Sequence, residues 1–85
     1  MGIHKIEMKR SALKEIKQLP AKDLKRILAK IESLSDDPRP VDCKKLSTEE
    51  KYRIRYGVYR ILYEIKDDVL IVYVVKVGHR KDIYR

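Results

Sequence analysis

From Tyr52 to Tyr56 the residues YRIRY alternate. Successive strand side chains point to opposite faces, so Tyr52, Ile54 and Tyr56 share one face while Arg53 and Arg55 share the other. Gly57-Val58 fits a two-residue type II′ hairpin, with glycine at the first central position, where a positive φ costs least. That turn predicts a register with Tyr56 opposite Tyr59, Ile54 opposite Ile61, Tyr52 opposite Tyr63 and Arg55 opposite Arg60. The run VLIVYVVKV is apolar at both parities, the pattern of a strand covered on both faces and paired on both edges. With Asp67-Asp68 as a short polar turn, the predicted meander covers 51–57, 58–66 and 69–77. The chain is then expected to leave the sheet at Gly78 into a polar tail, His79 to Arg85.

Upstream, residues 3–8 alternate weakly, with His4, Ile6 and Met8 on one side, and are read as an additional edge strand. Ser11 precedes a short helical pattern carrying Ala12, Leu13, Ile16 and Leu19 on one stripe, and Pro20 stops it. Asp23 then sits in the first turn of a second helix, where a carboxylate complements the helix dipole, with Leu24, Ile27, Leu28, Ile31 and Leu34 at helical spacing. Residues 36–48 read as the long connection back to the meander, with Leu46 anchoring its end. Two helices joined at a proline need an apolar partner, and the Tyr/Ile face of the meander supplies it. The predicted fold class is α+β: a helical hairpin on one face of a small, mostly antiparallel sheet, in the order β-α-α-β-β-β.

Eighty-five residues allow one domain with a modest core. The chain has 21 basic against 13 acidic residues, a net charge of +8, which favours a polyanionic or acidic partner. Cys43 is the single cysteine, so an internal disulfide is excluded, and it is read as an unreactive loop thiol in a reducing compartment. With only His4 and His79 beside it, no catalytic metal cluster is expected and no cofactor is called for. The apolar run at 69–75 is too short to span a bilayer, so a soluble, cytoplasmic protein without membrane contact is expected.

The charge acquires a direction on the strands. Like charges directly opposite on a sheet destabilise it, so Arg55 against Arg60, with Arg53 two residues away, suggests that an anion belongs on that face. Where that anion is RNA, as the family resemblance set out below implies, cleavage by its own 2′-hydroxyl requires a base, stabilisation of the developing phosphorane charge, and protonation of the leaving oxygen. Arginine forks meet the second need. His79 has the better intrinsic pKa for proton transfer near neutrality, and a tyrosine among cations is favoured as phenolate. Tyr84 is the preferred base; base stacking and pinning of the tail are the other roles open to it.

The order of these elements, with the motifs YRIR, GVYRILYEI and VGHRKDIY, resembles the RelE branch of the RelE/ParE toxin superfamily over nearly the whole chain. That resemblance implies a type II toxin that cleaves messenger RNA in the ribosomal A site without a metal and is restrained by an acidic, RelB-like antitoxin in a heteromeric complex. By the same resemblance Arg53 and Arg55 stand where well-studied members carry lysines, Arg60 and Arg80 match their arginines, and Tyr84 matches a near-terminal tyrosine. The implied catalytic set is Arg53, Arg55, Arg60, His79, Arg80 and Tyr84; the implied RNA-binding set is Arg53, Arg55, Arg60, Arg80 and Lys81. Arginine holds phosphate but does not exchange protons as a lysine does. The alternatives are a ParE-like gyrase-inhibiting toxin and a catalytically inactive relative that only binds an antitoxin.

Overall fold

A computed structural model describes residues 3–46 and 51–79. Strand β1 (Lys5–Met8) leads into helices α1 (Arg10–Lys17) and α2 (Ala21–Asp36). A two-residue strand β2 (Lys44–Lys45) precedes the meander β3 (Lys51–Tyr56), β4 (Tyr59–Lys66) and β5 (Ile71–His79). The sheet order is β1-β5-β4-β3-β2; β1 runs parallel to β5 and every other pair is antiparallel. The predicted α+β architecture is therefore the observed one, with β2 added at an edge.

The hairpin register agrees residue for residue, from Tyr56 opposite Tyr59 to Tyr52 opposite Tyr63, with Arg55 opposite Arg60. Gly57 has φ 57° and the following Val58 is not at positive φ, the combination that type II′ requires and type I′ does not. The core fills one face. Ala12, Ile16, Ile27, Ile31 and Leu34 of the helices pack on Tyr52, Ile54, Ile61, Tyr63, Ile65, Val72, Val74 and Val77 of the sheet. Helical spacing put Leu13 and Leu28 on the same stripe, but they lie at the hairpin's rim and stay about 40% exposed.

Three other expectations change. Helix α1 starts at Arg10, one residue before Ser11. Lys9 is its N-cap and makes no side-chain capping bond, since an ammonium is donor-only; its backbone N–H is held by the Val74 carbonyl, which fixes where the chain leaves β1. The turn before β5 takes residues 67–70 rather than two, and Leu70 adopts φ 55° while its carbonyl accepts the Lys5 N–H at 2.8 Å. Leu46 anchors through its backbone, whose N–H meets the Lys51 carbonyl, while its side chain is exposed.

The correction that matters most for function is at the C-terminal strand: β5 does not leave the sheet at Gly78 but continues to His79. Between Leu62 and Tyr63 of β4 the register shifts, so that Leu62 faces Lys76 while Tyr63 faces Val74. Val75 is the extra residue of a β-bulge, and it reverses the alternation: Val72 and Val74 point to the core before it, Val77 after it. Beyond Met8, β1 no longer covers this part of β5. Helix α1 takes over: the Glu15 carboxylate accepts the Val77 N–H at 3.1 Å and the Lys76 ammonium at 2.9 Å, capping a donor that a bare edge would leave unmet.

Candidate nucleic-acid interface

The face of the sheet turned away from the helices carries the cations. Along β3 the even positions Tyr52 and Ile54 enter the core, so Arg53 and Arg55 stand on the far side; Arg60 of β4 joins them as the direct partner of Arg55. Their environments differ. Arg55 is exposed, whereas Arg53 is only 9% and Arg60 only 5% exposed, with Arg60 Nε and Nη1 shielded from solvent. A guanidinium keeps its charge when buried, so the sheet concentrates fixed positive charge at a site of reduced dielectric. Gly78, opposite Arg60 on β5, adds no side chain to this face. Lys44 of β2, opposite Arg53, extends the cations to the sheet edge, and Glu64 lies opposite Lys51. A cleft of about 360 Å³ is lined by Leu46, Lys51, Leu62, Glu64 and Lys76 among others.

His79 is on the other face. It pairs with Tyr59, and the two rings meet edge to face with centroids 6.3 Å apart. Tyr59 in turn donates its hydroxyl to Asp23 Oδ2 at 2.9 Å, and this bond, with partial burial, raises the phenol pKa above its usual value. The dipole-complementing carboxylate of α2 thus also holds the start of β4. Arg53, Arg55 and Arg60 are brought together; His79 is one residue past their level and turned to the helices. The candidates Arg80, Lys81 and Tyr84 lie outside the described residues.

Ion pairs link several charged groups near the sheet. Lys30 meets Asp42 at 2.9 Å and lowers its pKa; Arg39 Nη2 meets Asp67 at 2.8 Å and, with His4 at 3.1 Å, lowers that carboxyl's pKa. Among the described residues, no group of three His, Cys, Asp or Glu side chains gathers as metal ligands, and no helix is long and apolar enough to cross a membrane. Cys43 is half-buried against the core.

Residues 6–84 match the model of the ParE toxin of type II toxin–antitoxin systems. The chain belongs to this toxin family. Within the RelE/ParE superfamily it falls in the RelE branch: it is 33% identical over 84 residues to RelE1 of Methanocaldococcus jannaschii, covering 94% of this chain and 93% of that one. A chain of the RelBE2 toxin–antitoxin complex of Mycobacterium tuberculosis superposes with a TM-score of 0.80 at 28% identity, over 91% of this chain and 98% of that one. The archaeal RelE–RelB complex of Pyrococcus horikoshii shares the fold at a TM-score of 0.83 and 24% identity, over 92% and 96% of the two chains.

Sequence reasoning missed Lys44, since a two-residue strand leaves no periodicity to detect. It also missed that two of the three arginines are buried. Alternation assigns a side chain to a face but says nothing of how deeply that face is covered.

Proposed function

We propose that this RelE-branch toxin is a ribosome-dependent endoribonuclease that cleaves messenger RNA in the A site. The observation that carries the reading is the buried pair Arg53 and Arg60 with Arg55 set directly against Arg60. Guanidinium groups that keep their charge and gather on one face suit a phosphate, whose oxygens their planar forks bind through paired hydrogen bonds. In the proposed reaction the 2′-hydroxyl attacks the adjacent phosphorus, and its proton passes to Tyr84. The arginine forks, with Arg80 and Lys81, neutralise the charge developing on the non-bridging oxygens. The bond to the 5′-oxygen then breaks, and that oxygen takes a proton from water, leaving a cyclic phosphate and a 5′-hydroxyl. His79 is not assigned the leaving-group proton, because its ring packs against Tyr59 on the helix side.

An acidic, RelB-like antitoxin is the proposed restraint, matching the +8 charge of the chain and the complexes formed by its relatives. The test is single-turnover cleavage of messenger RNA on programmed ribosomes. Arg60→Ala is expected to lose at least about 100-fold, the cost of removing one preorganised donor to a transition-state oxyanion. Cleavage by this variant at the wild-type rate overturns the reading. Double-strand DNA damage in expressing cells, without cut messages, favours the gyrase-directed alternative.

A further inference from the structure

We propose that Lys44, on the edge strand β2, is an additional contact for the backbone of single-stranded RNA and carries the arginine track out to the rim of the sheet. The inference rests on the reading of the arginine face as an RNA site and adds a residue that neither helical nor strand periodicity indicates.

The register places it. Lys44 is the direct antiparallel partner of Arg53, and directly paired residues project to the same face. Its neighbour supplies an internal check: Lys45 pairs with Tyr52 and its ammonium lies 6.0 Å from the centre of the Tyr52 ring, on the opposite side of the strand. Two adjacent lysines are thus divided, one toward the tyrosines and one toward the arginines. From Lys44 to Arg53, along β3 to Arg55, and across to Arg60, each step spans about 5–7 Å by ordinary strand geometry, forming a continuous cationic staircase over three strands.

Lys44 differs from the two lysines that carboxylates hold. Lys30 is held by Asp42 and Lys76 by Glu15, each at 2.9 Å. Lys44 is exposed, and among the described residues no carboxylate lies within ion-pair distance of it. An exposed ammonium directly beside a guanidinium on one face favours an anion that bridges the two. A phosphodiester chain does so, because it brings charges in series rather than singly.

The experiment measures binding of the full-length protein to a short 2′-O-methyl RNA, which cannot be cleaved, by fluorescence anisotropy across a potassium chloride series. Each phosphate neutralised on a single strand contributes about −0.7 to the slope of log K against log salt. Lys44→Gln is expected to make that slope shallower by about 0.7 and to weaken binding several-fold at low salt. Lys44→Arg should restore it, and Lys45→Gln should leave it unchanged. Edge-strand lysines also discourage sheets from pairing edge to edge, a role that alters solubility but not the salt slope. Parallel lines for the wild type and Lys44→Gln therefore overturn the inference while leaving the arginine site intact. A wild-type line without salt dependence overturns the RNA reading of the site itself and this inference with it.

Discussion

On the helix side of the sheet, the four tyrosines of the β3–β4 hairpin lie in or against the core and each hydroxyl finds a partner. Tyr52 accepts from Arg39 Nε at 3.0 Å, Tyr56 accepts from Arg26 at 3.3 Å, Tyr59 donates to Asp23 at 2.9 Å and Tyr63 donates to the Pro38 carbonyl at 2.8 Å. Tyr52 and Tyr63 also stack, with centroids 5.8 Å apart. On the other side, the same two strands set Arg55 against Arg60 and bury Arg53 nearby. One face carries tyrosines tied by their hydroxyls to the helices and the loop; the other gathers three arginines. That difference teaches where stability and function are divided, because alternate residues of a single strand serve opposite ends.

The comparison breaks most sharply at neighbouring residues. Ile61 is fully buried and adjoins Arg60; Ile61→Ala is expected to cost about 2–5 kcal/mol in denaturant unfolding, from lost transfer energy and the cavity left behind. Cleavage per folded molecule should be retained. A comparable stability loss for Arg55→Ala, which is exposed, would erase the distinction between the faces.

Next in size is the edge cap. Glu15→Ala leaves the part-buried Val77 N–H without its acceptor and is expected to destabilise by about 1–3 kcal/mol, with faster amide exchange at Val77 than at Val74. Unchanged exchange at Val77 would show that α1 does not guard this edge. Smaller again, Tyr59→Phe removes the bond to Asp23 and should cost about 0.5–1.5 kcal/mol. In the wild type, Tyr59 should ionise at higher pH than a free tyrosine, and Asp23→Asn should reduce that shift.

The smallest effect is the acid response of the loop side. Arg39 first and His4 second hold the Asp67 pKa below its unfolded value, so this carboxylate stabilises the fold above the ordinary Asp range and the gain is lost as pH falls through the folded-state pKa. Asp67→Asn should accordingly flatten the decline of melting temperature on the acid side of about pH 4. An identical acid limb in both proteins would remove the group from the account.

Much of this division was legible in the residues themselves. YRIRYGVYRILYEI specifies a hairpin, its register and the face of each arginine, because strict alternation and a glycine turn leave one solution. The bulge at Val75 was not legible: VYVVKV is apolar at both parities, so a slipped residue leaves no trace in the pattern, and the path through Gly78 to His79 depended on it. His79 was placed in the site by sequence neighbourhood, yet pairing with Tyr59 turns it to the helices. Nor could local sequence reveal the parallel pairing of β1 with β5, or the way α1 takes over along that edge, since both depend on contacts more than sixty residues apart.

The central claim is tested most directly by alanine substitution at each position from Tyr52 to Tyr56, with unfolding free energy and ribosomal cleavage measured on every variant. The account predicts two profiles of period two, out of phase. Stability falls most at Tyr52 and Ile54, while cleavage per folded molecule falls most at Arg53 and Arg55. In-phase profiles, with the arginine variants losing stability in proportion to activity, would make the cationic face part of the scaffold and contradict the assignment of RNA chemistry to it.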